Sequence, residues 1–430
     1  MKSYKIIITK YYYKTIDKLY NKILNQKPGE KSFNFILNLR FIYQSTFISG
    51  ILSLIGFLIT THFLSPSEYG KFLLLSASGA ILSIPMVLGF PVATTVYMAK
   101  KNAKKNILSS SLFSVTSLII IFSLIYYLAF GLLSKTLNIS QDMFIYALSI
   151  SILLTYSNIF DSALRGAYKI KFLSRARVIS SFFIIVILFT LYLSKQHSFL
   201  TPYFAMQSGF ITSIILTIIK LRKIIFVFPS INTIKELLNY ALPASLPPIA
   251  GVVIWNVDKL FLNNFMSTKD VGIYGAYTSV STSFADRAIN PFISVFFPTS
   301  VKETNKNNIK YKIDSLIKRL SIFLFFFFII FIYIIISFIR KEYHLDNKYL
   351  ILFSIAAIIT FMSEIYWWFV ASQGVKGIRY ISIHSIITMT SNVLLNFILI
   401  KYLGIAGAVI SYSITHFYLY LMSKRFTEKN

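Results

Sequence analysis

Cysteine is absent from the sequence, so no disulfide framework, thiolate metal site or cysteine nucleophile is available. Charge is scarce and one-sided. Only 13% of residues are charged, about half the share of an ordinary soluble domain, and 15 acids stand against 43 Lys and Arg. There is no G-x-x-x-x-G-K-[ST] stretch, and Pro28–Gly29–Glu30–Lys31–Ser32 lacks the loop that cradles phosphate. No H-E-x-x-H and no serine elbow occurs. The expectation is a protein that is not an enzyme, with no catalytic or metal-binding residues and no cofactor. Any work it does must draw on an ion gradient, the membrane potential or the concentration difference of its substrate.

What the sequence holds instead is apolar: 56% of residues are hydrophobic. They fall in long blocks near the roughly 20 residues that a helix needs to cross a bilayer, and Ser321 to Phe338 carries no charge at all. The blocks predict an all-α integral membrane protein with spans over 41–64, 72–98, 107–131, 143–164, 174–194, 199–219, 242–264, 271–299, 320–339, 348–371, 380–400 and 403–422. The net charge of +28 does not point to nucleic acid, because the cations sit in short connectors rather than on a folded basic domain. They alternate from one connector to the next, roughly four to one in favour of the set that includes both termini. Both termini are therefore expected in the cytoplasm. The outer connectors are too short for a catalytic domain, which argues against a glycan polymerase or ligase.

The chain divides into a basic N-terminal segment (1–40), a first six-helix bundle (41–219), a linker (220–241), a second bundle (242–422) and a short tail (423–430). In residues 1–25, Ile8, Tyr12, Ile16 and Tyr20 form one stripe. Lys10, Lys14, Lys18 and Lys22 form another on the opposite face. This pattern fits a helix lying on an anionic leaflet, or a solvated basic leader.

The two bundles repeat each other. FLSPSEYGKF (Phe63 to Phe72) matches FMSTKDVGIY (Phe265 to Tyr274), pairing Glu68 with Asp270 and Gly70 with Gly272. GAYKIKFLS (Gly166 to Ser174) matches GVKGIRYIS (Gly374 to Ser382), and Pro91 corresponds to Pro291. Three matches in the same order, at offsets of 200 to 208 residues, mark a duplication. An even number of spans per unit makes the repeats parallel, related by an axis along the membrane normal, with a central cavity between them.

At these motifs the chain resembles the polysaccharide-export, O-antigen flippase branch of the multidrug/oligosaccharidyl-lipid/polysaccharide (MOP) flippase superfamily, whose fold is MATE-like. FLSPSEYGKF carries the resemblance, with NVDKLFLNNFMSTKDVGIYGAY (Asn256 to Tyr277) and LLNFILIKYLGIAGAVISYS (Leu394 to Ser413). The resemblance implies a flippase that moves undecaprenyl-diphosphate-linked oligosaccharide, of O-antigen or capsule type, across a bacterial cytoplasmic membrane. Its implied partners are that lipid-linked glycan, membrane lipids, H⁺ or Na⁺, and other membrane proteins of glycan assembly. The alternative is a cation-coupled extruder of drugs or metabolites from the same superfamily.

Charges inside spans are the main lead to a site, because each is costly unless it faces protein or water. Away from the span ends they are Asp258, Lys259, Asp286, Arg287 and Glu364, all in the second half, with Gly56 and Phe57 opposite Asp258 and Lys259 in the repeat. An anionic diphosphate needs cations, and Arg287 and Lys259 are the candidates, with Trp255 one turn from Lys259 as a face for sugar. Asp258, Asp286 and Glu364 are candidates for ion coupling. Two structural alternatives stand beside these. The Asp258–Lys259 and Asp286–Arg287 pairs could clamp the seventh and eighth spans together, although the two pairs differ in depth by ~13 Å at 1.5 Å per residue, and side chains adjacent on a helix diverge by about 100°. Glu364 could pair with His384. Prolines 243, 247 and 248 with Gly251, Pro85 with Pro91, and Pro291 with Pro298 are expected to interrupt the seventh, second and eighth spans.

Overall fold

The computed structural model describes residues 30–100, 104–195, 197–302 and 306–429. The amphipathic helix expected over residues 1–25 lies outside them. Among the described residues there is no strand. The first half contains α1 (Glu30–Phe63), α2 (Pro66–Val87), α3 (Phe90–Met98), α4 (Ile107–Leu128), α5 (Phe130–Leu137), α6 (Gln141–Gly166), α7 (Ile170–Leu193) and α8 (Leu200–Ile225). The second half contains α9 (Ile231–Ala244), α10 (Leu246–Ile254), α11 (Val257–Phe265), α12 (Thr268–Val280), α13 (Thr282–Lys302), α14 (Lys306–Phe338), α15 (Asn347–Ala371), α16 (Val375–Leu403) and α17 (Ile405–Lys429).

Among the described residues ten helices are long and apolar enough to cross a membrane. The segments 231–244 and 246–265, bent by 49°, make an eleventh when the pair is taken as one broken span. The remaining expected span, 271–299, is built from α12 and α13 and carries Asp286 and Arg287, which lower its hydropathy. The molecule is thus an all-α membrane protein with two sets of helices in the order the duplication requires.

Where the spans break depends on more than proline. The second span breaks between α2 and α3 at Leu88 and Gly89, with φ of 36° and 72°, between Pro85 and Pro91. The seventh breaks at Ser245, between Pro243 and Pro247, and again at Trp255–Asn256. The eighth breaks at Ser281, while Pro291 and Pro298 lie inside the continuous α13. Membrane helices absorb a proline by small local adjustments when neighbours satisfy the freed carbonyl, so the expected interruption there is displaced.

The repeat motif is a pair of helix starts. Ser65 caps α2 by accepting from the Glu68 N–H (3.4 Å), and Ser267 caps α12 by accepting from the Asp270 N–H (3.2 Å). One turn later Gly70 and Gly272 let the two helices cross. A Cβ on Gly70 would strike the carbonyl of Thr268, and one on Gly272 would strike the carbonyl of Pro66. Pro66 and Thr268 are themselves repeat partners, so the two contacts are images about one axis.

Two further contacts close the same, cation-poor side. Asn263 Nδ2 donates to the Asn138 carbonyl (2.9 Å), and Asn138 Nδ2 returns a bond to the Asn263 carbonyl (3.4 Å). On the other side of the axis, Tyr343 donates to the Leu64 carbonyl (3.2 Å) and Arg340 to the Phe63 carbonyl (3.4 Å). Each half thus uses the connector between its third and fourth spans to hold the end of the other half's first span. Tyr343 is fully buried, and burial raises its phenol well above the usual tyrosine value, so it stays a donor.

The two lateral seams differ. α9, α10 and α11 run along α2 and α3, and Gly89 makes room for the Ala241 carbonyl at the two helix breaks. The repeat-related seam, α1 against α13, is much shorter.

Candidate functional site: a cation on the wall of an apolar cavity

The short contact between α1 and α13 leaves a cavity of about 740 Å³. α1 forms one wall, with the starts of α2 and α8, the middle of α7, and parts of α12, α13 and α14. The walls are aliphatic and aromatic, with hydroxyls from Thr46, Ser53, Tyr69, Ser181 and Ser279. Arg287 is the one charged residue among the described residues that line it.

Arg287 faces the cavity because α13 restarts at Thr282. Ala285 and Ile289 then turn inward and are buried, while Arg287 and Ala288 are exposed on the other face. No carboxylate lies within ion-pair distance of Arg287 among the described residues. Its neighbour Asp286 instead accepts from Asn290 Nδ2 (3.3 Å). Among the described residues the guanidinium has no hydrogen-bonding or ion-pair partner, and planar donors of this kind suit an anion.

Lys259 is engaged elsewhere. Its ammonium lies 2.5 Å from the Trp255 carbonyl and 3.3 Å from Asp258 Oδ1, and the other Asp258 oxygen accepts from Tyr274. The sequence led us to expect Asp258 and Lys259 to point apart. The break at Trp255–Asn256 frees the Trp255 carbonyl and puts Asp258 in the first turn of α11, where the Lys259 side chain folds back. Asp258 does join the seventh and eighth spans, through Tyr274 on α12 rather than through Arg287.

Trp255 lines a second, smaller cavity of about 90 Å³ with Glu364, Trp367, Ser363, Ser385 and His416. Its ring packs edge-on against Tyr412 at 5.6 Å and against His416 at 6.3 Å. Glu364 bonds to Trp368. His384 does not pair with Glu364; its Nδ1 meets the Tyr418 hydroxyl at 2.7 Å. The structure therefore places Arg287 in one cavity and Trp255 with Glu364 in another, and holds Lys259 in an internal tether.

A buried polar run in the second half was not among the sequence candidates. Asn396 Nδ2 donates to Asn392 Oδ1 (2.9 Å), and Asn392 Nδ2 to Thr415 Oγ1 (3.3 Å). Asn396 Oδ1 and Ser411 Oγ are buried without a partner among the described residues. Asn392 and Asn396 stand four residues apart in one span, so the sequence places them on one helix face, but a neutral amide is far less costly in a span than a charge and marks a site less sharply.

Comparison with known proteins agrees with this architecture. Residues 37–304 match the family described as polysaccharide biosynthesis protein. No curated protein matches. Among solved structures the chain is similar to an inward-facing multidrug resistance MATE family transporter of the MOP superfamily, with a TM-score of 0.70 at 14% identity, covering 89% of this chain and 94% of that one. An outward-facing conformation of such a transporter aligns at 0.61 and 15% identity, over 91% and 95%. The chain therefore belongs to the polysaccharide biosynthesis protein family and is a multi-pass membrane protein built on the fold of MOP-superfamily transporters.

Proposed function

We propose that this protein is a flippase for undecaprenyl-diphosphate-linked oligosaccharides, of O-antigen or capsule type, in the bacterial cytoplasmic membrane. It works by alternating access, takes its substrate from the cytoplasmic face and has both termini in the cytoplasm. One observation carries the reading: Arg287 stands without an ion-pair partner among the described residues, on the wall of a cavity of about 740 Å³ that is otherwise uncharged. A cation held in that setting favours an anionic group with apolar attachments, because the apolar walls strengthen the ion pair and cannot solvate a free one. The diphosphate is that group. The closed cation-poor side then belongs to the state that accepts substrate from the cytoplasm.

Coupling to H⁺ or Na⁺ falls to Asp258, Asp286 and Glu364 in the second half. The fold likeness to multidrug transporters supports a second reading, a cation-coupled extruder. Arg287 weighs against cationic drugs, since it would repel them at the only charged position on the cavity wall among the described residues.

The test is to delete the gene and analyse lipid extracts by mass spectrometry. Accumulation of one undecaprenyl-diphosphate oligosaccharide is expected. An unchanged lipid profile together with raised sensitivity to cationic drugs would favour the extruder.

A further inference from the structure

The connector between α8 and α9 lies on the cation-rich side and carries an apolar edge that the described residues leave uncovered. Phe226 is 81% exposed, Phe228 92% and Ile231 72%. Exposed phenylalanines in the middle of a span face lipid tails. These stand elsewhere. α8 has 26 residues, ~39 Å at 1.5 Å per residue, and about 30 Å of that crosses the hydrocarbon. Its last turns, where Lys220, Arg222 and Lys223 are exposed, therefore reach the headgroups, and Phe226 and Phe228 come after them. The edge is displayed by a fixed backbone. The Ser230 N–H donates to Ser110 Oγ (3.1 Å), Thr233 Oγ1 donates to Asn106 Oδ1 (3.4 Å), and Ile224 and Ile225 pack against the core around Leu108 and Leu221. On α9, Ile231, Leu238 and Leu242 fall on one exposed face, with Lys235 about one turn after Ile231. Among the described residues no carboxylate lies within ion-pair distance of Lys220, Arg222, Lys223 or Lys235, and the neighbouring Glu236 is taken by Lys104 (2.8 Å).

We propose that this connector docks on an anionic phospholipid leaflet at the cation-rich side. Phe226, Phe228 and Ile231 enter the interface, and Lys220, Arg222, Lys223 and Lys235 hold phosphate headgroups around them. Charge complementarity picks the occupant. Cations without acids flank an apolar edge, and a leaflet of anionic phospholipid offers negative charge at its surface with hydrocarbon beneath it. A phenylalanine left in water at headgroup level forgoes the burial that a short descent into the leaflet provides. The stems of lysine and arginine are long enough to keep the charged ends at the headgroups while the rings go deeper. This surface is independent of what the Arg287 cavity carries. It lies on the link between the two halves, so it ties that link to the plane of the membrane.

Fluorescence quenching of the full chain in nanodiscs tests this. Pro229→Cys, made in the naturally cysteine-free chain, carries an environment-sensitive fluorophore and keeps both phenylalanines. Lipids brominated in the acyl chain should quench it, and acrylamide in the water should quench it only weakly. Replacing phosphatidylcholine by phosphatidylglycerol at fixed bromination should raise the lipid quenching at least about twofold, because each base near the surface adds attraction. Lys220→Gln, Arg222→Gln, Lys223→Gln and Lys235→Gln together should remove that rise. Phe226→Ser with Phe228→Ser should open the site to acrylamide, whereas Phe226→Leu with Phe228→Leu, which keeps the apolar edge, should behave as the parent. Thermal unfolding checks that each variant is folded. Strong acrylamide quenching without lipid quenching would place the edge in water and overturn the proposal. Shielding from both quenchers would mean that protein covers it, a second copy or another segment of this chain, and would overturn it as well. Equal lipid quenching in the two lipids would remove the anionic headgroups from the account and contradict the choice of occupant.

Discussion

Gly70 and Gly272 face each other across the axis that relates the two halves, each so close to the opposing helix that neither can carry a side chain. Small residues at such crossings let membrane helices approach backbone to backbone. Here they set the depth to which the two halves meet on the cation-poor side. Substituting either is expected to force that side apart. Gly272→Leu should cost the closed form about 1–3 kcal/mol, as overpacking does, and shift the protein toward an outward-open state. Export should fall with membrane level unchanged. Thiol labelling of a single cysteine at Leu64, now fully buried, should rise. Normal export in Gly272→Leu would show that the crossing is not part of the transport cycle.

The two connector contacts give a second, reversible test. In the naturally cysteine-free chain, Asn138→Cys with Asn263→Cys should form a disulfide across the halves. The oxidised protein should stop exporting and recover with reductant. A cross-linked protein that still exports would contradict alternating access through this side. The weaker variant Tyr343→Phe removes one hydrogen bond, about 1 kcal/mol, and should speed labelling at Leu64 several-fold without abolishing export.

The tether in α11 predicts a stability effect rather than a substrate effect. Lys259→Gln leaves Asp258 buried without its cation and should lower membrane yield, by an amount equivalent to about 3–5 kcal/mol for a broken buried pair. Asp258→Asn added to Lys259→Gln should recover yield. If Lys259→Gln is stable but inactive, and the double variant is stable and inactive as well, Lys259 returns as a substrate-binding cation.

Topology can be read in the same cysteine-free background. Single cysteines at Ser140, His197 and His344 should react with an impermeant thiol reagent in intact cells, once any outer barrier is removed. Cysteines at Asn106 and Asn307 should not. The reverse pattern would invert the orientation drawn from the positive-inside rule.

Much of this architecture was legible in the sequence because membrane helices and their caps are local features. The spans follow from hydropathy, and the repeat motif spells two serine caps and two crossing glycines. Arg287 could be singled out since a charge within a span is rare whatever surrounds it. Other features depend on contacts between distant segments. Tyr343 lies in a connector with no periodicity, and only the meeting of the two halves buries it against Leu64. The fold-back of Lys259 needed the helix break at Trp255–Asn256, which no proline marks. The breaks near Pro291 and Pro298 failed to appear because local adjustment in α13 absorbed them.

The direct test of the central claim is export of surface glycan by Arg287 variants, in a complementation assay with membrane protein quantified by blot. Arg287→Ala should abolish export while the protein remains inserted and stable. Arg287→Lys, which keeps the charge but loses the planar fork, should retain part of it. Arg287→Gln with Asp286→Asn should stay inactive, because no cation then remains in the cavity for the diphosphate. Restored export in that double variant, with normal protein level, would show that Arg287 only balances Asp286 and would contradict its role as the seat of the substrate headgroup.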